Sequence, residues 1–199
     1  VSCTKLSVED SKNTPLYKSI EDIDSPTINL EFVYNNTESL SKVYNKHLNQ
    51  SDNYDFIVFC HDDVYIDDAK LQQKLYNAYN NLGHNIIGIA GGINPEIKFP
   101  SLWHLMCTKQ HWRGQVATPI SDKTIITTVF GPTPSRVVIA DGCFLAVHLP
   151  SVLKANWKFN ENYDFHHYDI SSCIDANQLK LKIGVYPIYV IHSSPGLTS

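Results

Sequence analysis

The segment Phe56-Ile57-Val58-Phe59-Cys60-His61-Asp62-Asp63-Val64 constrains the fold more than any other, because an apolar strand runs directly into adjacent carboxylates. Five such residues suit a strand covered on both faces, as in α/β proteins. Sheets of that kind present ligands at the carboxyl ends of their strands, so Asp62 and Asp63 stand where a divalent cation can be held against a diphosphate. Mg²⁺ and Mn²⁺ are hard cations that accept one or two protein carboxylates beside substrate phosphates. The same pair also suits a helix cap or a solvated turn.

At 199 residues, 43% of them hydrophobic, the chain can bury one substantial core and reads as a single domain over 1–199. A formal net charge of −4 argues against a nucleic-acid surface. The five cysteines, Cys3, Cys60, Cys107, Cys143 and Cys173, are odd in number, widely spaced and mostly within apolar segments. Buried thiols in a reducing, cytoplasmic compartment are the expectation rather than a disulfide framework. No apolar stretch reaches the length of a membrane span, and no basic-then-apolar leader opens the chain.

Strands and covering helices alternate over residues 1–90, which predicts a mixed, mostly parallel central sheet with helices on both faces. Val1–Thr4, Ile28–Tyr34, Asp55–Cys60 and Ile86–Ala90 are the expected strands. Thr37 can cap a helix carrying Leu40, Val43, Tyr44 and Leu48 on one face. A second helix places Leu71, Leu75, Ala78, Tyr79 and Leu82 together and ends at Gly83. The remainder, 91–199, is less regular. Residues 91–131 show weak periodicity around Trp103, His104, His111, Trp112 and Arg113, a length of irregular chain that is usually functional or carries short elements of its own. Arg136–Ala140 and Cys143–His148 read as strands flanking Asp141-Gly142. A last helix runs from about Asp169 to Leu179, followed by a strand from Ile183 to Ile191 and the turn His192-Ser193-Ser194-Pro195-Gly196.

Taken in order, these landmarks resemble a glycosyltransferase of the family 2 type with the GT-A fold. They are a strand ending in Asn35-Asn36, a helix with Asn45, the FCHDDV turn, Asp141-Gly142, the run Phe165-His166-His167-Tyr168-Asp169 and a late strand ending in His192. The likeness spans nearly the whole chain and is closest to a short branch with an HDDV-like turn. It implies a nucleotide-binding half over 1–90 and an acceptor-binding half over 91–199. The acidic turn corresponds to the family's DxD motif with His61 in place of the first Asp. Asp63 is then the expected metal ligand, Asp62 faces the ribose or donor sugar, and His192 falls at a metal-binding histidine position. Imidazole suits Mn²⁺ better than Mg²⁺. Packing at a strand end is the competing account of His192.

The resemblance further implies that Asp169 is the base of an inverting transfer, removing the proton of the acceptor hydroxyl as that oxygen attacks the anomeric carbon. A helix cap is its physical rival. Many relatives carry a second acid two residues later, where this chain has Ser171. Ser2, Cys3, Thr4, Asn35, Asn36 and Asn45 correspond to residues around the nucleotide, although Asn35-Asn36-Thr37 is also an ordinary turn sequence. Asp141 and Gly142 correspond to the acceptor loop. Trp103, Trp112, His166 and His167 can wall an acceptor pocket, core packing being equally good for the tryptophans. Arg113 can pair with phosphate or lie in a solvated loop. The expected partners are a nucleotide sugar, foremost a UDP-sugar, and a carbohydrate acceptor, with Mn²⁺ or Mg²⁺ as cofactor. A non-catalytic sugar-nucleotide or glycan-binding module is the alternative, followed by a metal-dependent hydrolase. The QxxRW signature of processive synthases is absent, which favours single transfers.

Overall fold

The computed structural model describes residues 1–50, 53–96, 102–121 and 123–193. The elements are, in order, β1 (Ser2–Cys3), α1 (Val8–Ser11), α2 (Pro15–Ile23), β2 (Phe32–Val33), α3 (Leu40–Gln50), β3 (Phe56–Cys60), β4 (Val64–Ile66), α4 (Leu71–Leu82), β5 (Ile86–Gly88) and β6 (Ala90–Gly92). There follow α5 (Trp103–Met106), a 3₁₀ turn at Lys109–His111, β7 (Trp112–Ser121), β8 (Thr124–Gly131), β9 (Ser135–Val137), β10 (Ile139–Ala140), β11 (Phe144–His148), α6 (Leu149–Lys154), α7 (Tyr168–Gln178), β12 (Ile183–Val185) and β13 (Val190–His192).

The core sheet has the order β3-β11-β5-β12-β9, and successive residues of its strands feed opposite cores. Ile57, Phe59, Ile86, Leu145 and Val147 meet α3, α6 and α7 on one side. Cys60, Ile87, Phe144 and Ala146 meet α2 and α4 on the other. Both faces are therefore covered, as the double-sided apolar character of 56–60 predicts. A short parallel pair, β1-β2, flanks β3, with the Val1 carbonyl accepting from the Cys60 N–H (3.1 Å).

The expectation of a mostly parallel sheet is corrected. Among the described residues only β1–β2, β5–β12 and β7–β13 run parallel, and the other pairings are antiparallel. The reason is that β11 inserts antiparallel between β3 and β5, and the chain beyond residue 90 returns by hairpins, which need no helical crossover. Since β11 comes from after residue 90, the two halves of the chain share one sheet.

A second sheet has the order β10-β6-β7-β13-β4, with β8 hydrogen-bonded to β7. Four extended segments supply strands to both sheets: β3 and β4 divide at the acidic turn, β5 and β6 at Ile89, β9 and β10 at Val138, and β12 and β13 across residues 186–189. Pro187 cannot donate to a ladder, which accounts for the last break. The irregular stretch 91–131 contains the β7–β8 hairpin, the longest strands among the described residues.

Local signals explain the helices. Gly83 closes α4 in the left-handed region (φ 69°), its N–H bonding the carbonyls of Ala78 and Tyr79. Ser39 rather than Thr37 opens α3: its Oγ accepts from Lys42 N (3.4 Å), while the Asn36 side chain closes a turn onto Glu38 N (3.1 Å). All five cysteines are free thiols. No helix among the described residues is long and apolar enough to cross a membrane. Of the expected terminal turn, Ser194, Pro195 and Gly196 lie outside the described residues.

Candidate active site

The acidic turn lies where β3 leaves the core sheet for β4, and strand register decides what meets it. Antiparallel pairing sets His192 opposite Val64, and Ser193 N bonds the Asp63 carbonyl (2.9 Å), so the last residue of β13 lies against Asp63. His192 Nε2 stands 3.2 Å from Asp63 Oδ1. The pair is out of line for a hydrogen bond, and both atoms are buried without any hydrogen-bond partner. His61 joins them: ligand atoms of His61, Asp63 and His192 all lie within 4.8 Å of one another.

Their electrostatics are mutual. Burial works to raise the Asp63 carboxyl, but His192 and His61 outweigh it and hold it below the ordinary value. Burial works to lower His192, yet Asp63 and then Asp141 hold it above the usual imidazole range. Burial lowers His61 against the pull of Asp141 and Asp63. Two imidazoles, one carboxylate and two orphaned polar atoms are what a divalent cation would satisfy, and the donor set suits Mn²⁺ better than Mg²⁺.

His61 and His192 border a cavity of about 200 Å³ that is also lined by Asp141, Gly142, Asp169 and Trp103, and Asp63 lies behind them, within reach of both imidazoles. His61 N bonds the Cys143 carbonyl (3.1 Å), which continues the β3–β11 ladder and draws the Asp141-Gly142 loop beside the acidic turn. Helix α7 enters from the other side. Asp169, its second residue, accepts from Ile170 N through Oδ1 (2.8 Å) and from Gly142 N through Oδ2 (2.9 Å). It is not the N-cap, a position His167 occupies at φ 64° without a side-chain bond. Burial, then the Asp141 charge, push the Asp169 carboxyl up from 3.8 to about 7, against the two backbone donors. Gly142 has no room for a side chain: a Cβ would come 2.5 Å from the Tyr168 hydroxyl and 2.9 Å from Asp169 Cβ.

Asp141 is fixed by both oxygens, Oδ2 accepting from Trp103 Nε1 (2.6 Å) and Oδ1 from Cys143 N (2.8 Å). Trp103 is 5% exposed and packs edge-on against Trp112 and Phe130. Trp112 spends its N–H on the carbonyls of His104 and Cys107, outside the cavity. Arg113 turns onto the Gln110 carbonyl (2.9 Å) and does not line the cavity. His166 and His167 do line it.

The nucleotide-side candidates divide. Cys3, Asn35 and Asn36 gather at the ends of β1 and β2, where Asn36 N bonds the Thr4 carbonyl (2.8 Å). Burial raises the Cys3 thiol to about 12, with the Asp62 charge contributing. Ser2 and Thr4 are buried, and Thr4 Oγ1 is engaged by Leu6 N. Asn45 is turned inward. Its amide donates to the Phe159 carbonyl (2.9 Å) and Glu161 Oε1 (2.8 Å) and accepts from Phe159 N (2.8 Å), pinning residues 159–161 to α3.

Sequence reasoning gave His61 no ligand role, and assigned none to Tyr168, Phe165 or His104. Phe165, 59% exposed, lies over the His61 ring (centroids 6.1 Å apart, 24° between planes). The available signal was adjacency: His61 precedes Asp62, and Tyr168 precedes Asp169.

Among solved structures, the chain superposes on residues 1–349 of S. aureus TarS with TM-score 0.57 at 12% identity, covering 98% of this chain and 59% of that one. A crystal structure of the same TarS fragment in complex with UDP gives TM-score 0.57 at 13% identity and the same coverage. A197 from STIV gives TM-score 0.54 at 12% identity, covering 94% of this chain and 79% of that one. At such identities these likenesses establish the fold alone, and the chain spans under two thirds of the TarS fragment. No curated protein matches. The family model described as "Glycosyltransferase like family" matches residues 8–194, nearly the whole chain, and the protein therefore belongs to that family of glycosyltransferases.

Proposed function

We propose that this glycosyltransferase is a cation-dependent, inverting enzyme that moves one sugar from a UDP-sugar to a hydroxyl of a carbohydrate acceptor. The observation that carries the reading is the shared cavity: Asp169 borders the same 200 Å³ space as His61 and His192, the two imidazoles that cluster with Asp63. UDP as the nucleotide is supported by the similar fold of TarS in complex with UDP.

In this reading Asp169 takes the acceptor proton. Its two backbone donors fix the carboxylate plane, and a value of about 7 leaves it able to accept a proton near neutral pH while remaining a strong enough base to help attack. Asp141, held by Trp103, orients the acceptor through its remaining lone pairs, and Phe165 offers an exposed aromatic face to the C–H side of a sugar ring. Asp63, His61 and His192 would hold Mn²⁺, which when bound supplies positive charge against the departing diphosphate. Cys3, Asn35, Asn36 and Asp62 meet the base and ribose. The buried Ser2 and Thr4 support them from behind, and Asn45 holds residues 159–161.

Thermal stabilisation tests the donor side: UDP with Mn²⁺ raises Tm, whereas UMP with Mn²⁺ does so weakly, because mass action rewards only binding to the folded state. A panel of UDP-sugars with oligosaccharide acceptors tests turnover. Binding of UDP-sugars with neither hydrolysis nor transfer would replace this reading with a non-catalytic binding module.

A further inference from the structure

Tyr168 lines this cavity, and the proposed mechanism leaves its chemistry unused. It is 3% exposed, at the first position of α7, and its ring packs against Tyr44 and Phe159 in the core. The hydroxyl carries one proton. That proton is directed at the Gly142 carbonyl (2.9 Å), which can only accept. The same oxygen lies 3.1 Å from His61 Nε2. With its proton committed, it can only accept there, so Nε2 must be the nitrogen bearing hydrogen. A neutral imidazole has one such nitrogen, which leaves Nδ1 with the lone pair.

We infer that Tyr168 is a positioning residue that fixes His61 as its Nε2–H tautomer and so reserves Nδ1 for a divalent cation shared with Asp63 and His192. The inference deepens the proposed cation site and rests on it. A ligating imidazole needs its second nitrogen held by an acceptor, and removal of such supports weakens metal binding by about 10–100-fold. The arrangement also gives Gly142 a reason to be glycine. Its backbone is gripped on both sides of Cα, the carbonyl by Tyr168 and the N–H by Asp169, and a Cβ would strike that hydroxyl. One backbone unit thereby ties the tautomer of His61 to the placement of the proposed base.

The rival account is that the hydroxyl only braces the Asp141-Gly142 loop. Long-range ¹H–¹⁵N spectra of His61 in the metal-free wild type and in Tyr168→Phe separate the two, because removal of a hydroxyl that only braces the loop leaves the tautomer unchanged. The expected result for the wild type is a single Nε2–H form. An Nδ1–H form or an even mixture would overturn the inference whether or not any variant folds. Tyr168→Phe should then give mixed tautomers and bind Mn²⁺ about 10–100-fold more weakly by titration calorimetry. Wild-type Mn²⁺ affinity in a folded Tyr168→Phe would overturn the role of Tyr168 alone. Failure of the wild type itself to bind Mn²⁺ would overturn the cation site and, with it, this inference.

Discussion

Replacement of Asp169 by asparagine should make the protein inactive and, at alkaline pH, more stable. The folded carboxyl titrates at about 7 against 3.8 for the free group, so between these values the native state holds a proton that the unfolded chain has released. Stability contributed by this residue is therefore complete below about pH 4, declines through the window and is lowest above about pH 7. About three units of displacement correspond to an upper limit near 4 kcal/mol, since each unit is worth about 1.4 kcal/mol. Asparagine removes this penalty but keeps only one acceptor oxygen for the two N–H groups of Ile170 and Gly142, at a cost of about 2–3 kcal/mol for the buried donor left unsatisfied. The net effect is a variant roughly 1–2 kcal/mol more stable than wild type near pH 8.5 and less stable near pH 4. In a chain of this size each kcal/mol moves Tm by about 2–4 °C, so the difference between the two proteins should swing by up to roughly 16 °C across that range. Melting curves in chelator, at several pH values, measure it directly. Wild-type kcat/KM should rise with pH and level off near 7, while the variant loses about 10²–10⁴-fold. A Tm difference that stays constant with pH, or a variant less stable throughout, would refute the buried-charge reasoning and leave Asp169 as a simple first-turn anchor for α7.

Four further outcomes follow from the geometry. His192→Ala and His61→Ala should each weaken Mn²⁺ binding by at least about tenfold in calorimetric titrations while the metal-free protein keeps its fold. Mn²⁺ should bind more tightly than Mg²⁺ in the same assay, because imidazole is a poorer ligand for the harder ion. Gly142→Ala should lower stability by about 1–3 kcal/mol in denaturant titration, as the added methyl meets Tyr168 and Asp169. Asn45→Ala should cost about 2–3 kcal/mol of stability through the lost bonds to residues 159–161, yet leave KM for the donor unchanged among molecules that remain folded.

The parts of the fold that were legible in the sequence are those where burial imposes a period. Leu71, Leu75 and Ala78 mark α4 because one helical face is covered, and the run 56–60 marks β3 because both strand faces are. The β7–β8 hairpin escaped notice because β8 is exposed over most of its length, so its residues carry no alternation of apolar and polar character. Splitting of the extended segments was equally hidden: Ile86–Ala90 is continuous in composition, and only pairing with β11 and β7 reveals that its halves belong to different sheets. At the site, the resemblance could suggest Asp63, His192 and Asp169, because each ends or begins an element. His61 and Tyr168 were missed because the roles proposed for them rest on a contact between residues 107 positions apart. Asn45 shows the reverse, since a polar residue on a helix looks available until its partners at 159–161 are seen.

Because four extended segments each cross from one sheet to the other, neither layer can melt while its neighbour survives. Proteolytic fragments ending near residue 90 would lack the strand that fills the gap between β3 and β5. Such pieces should be incompetent to bind nucleotide alone, so loss of activity on heating, in denaturant or after nicking should follow a single transition rather than a graded retreat from one end of the chain.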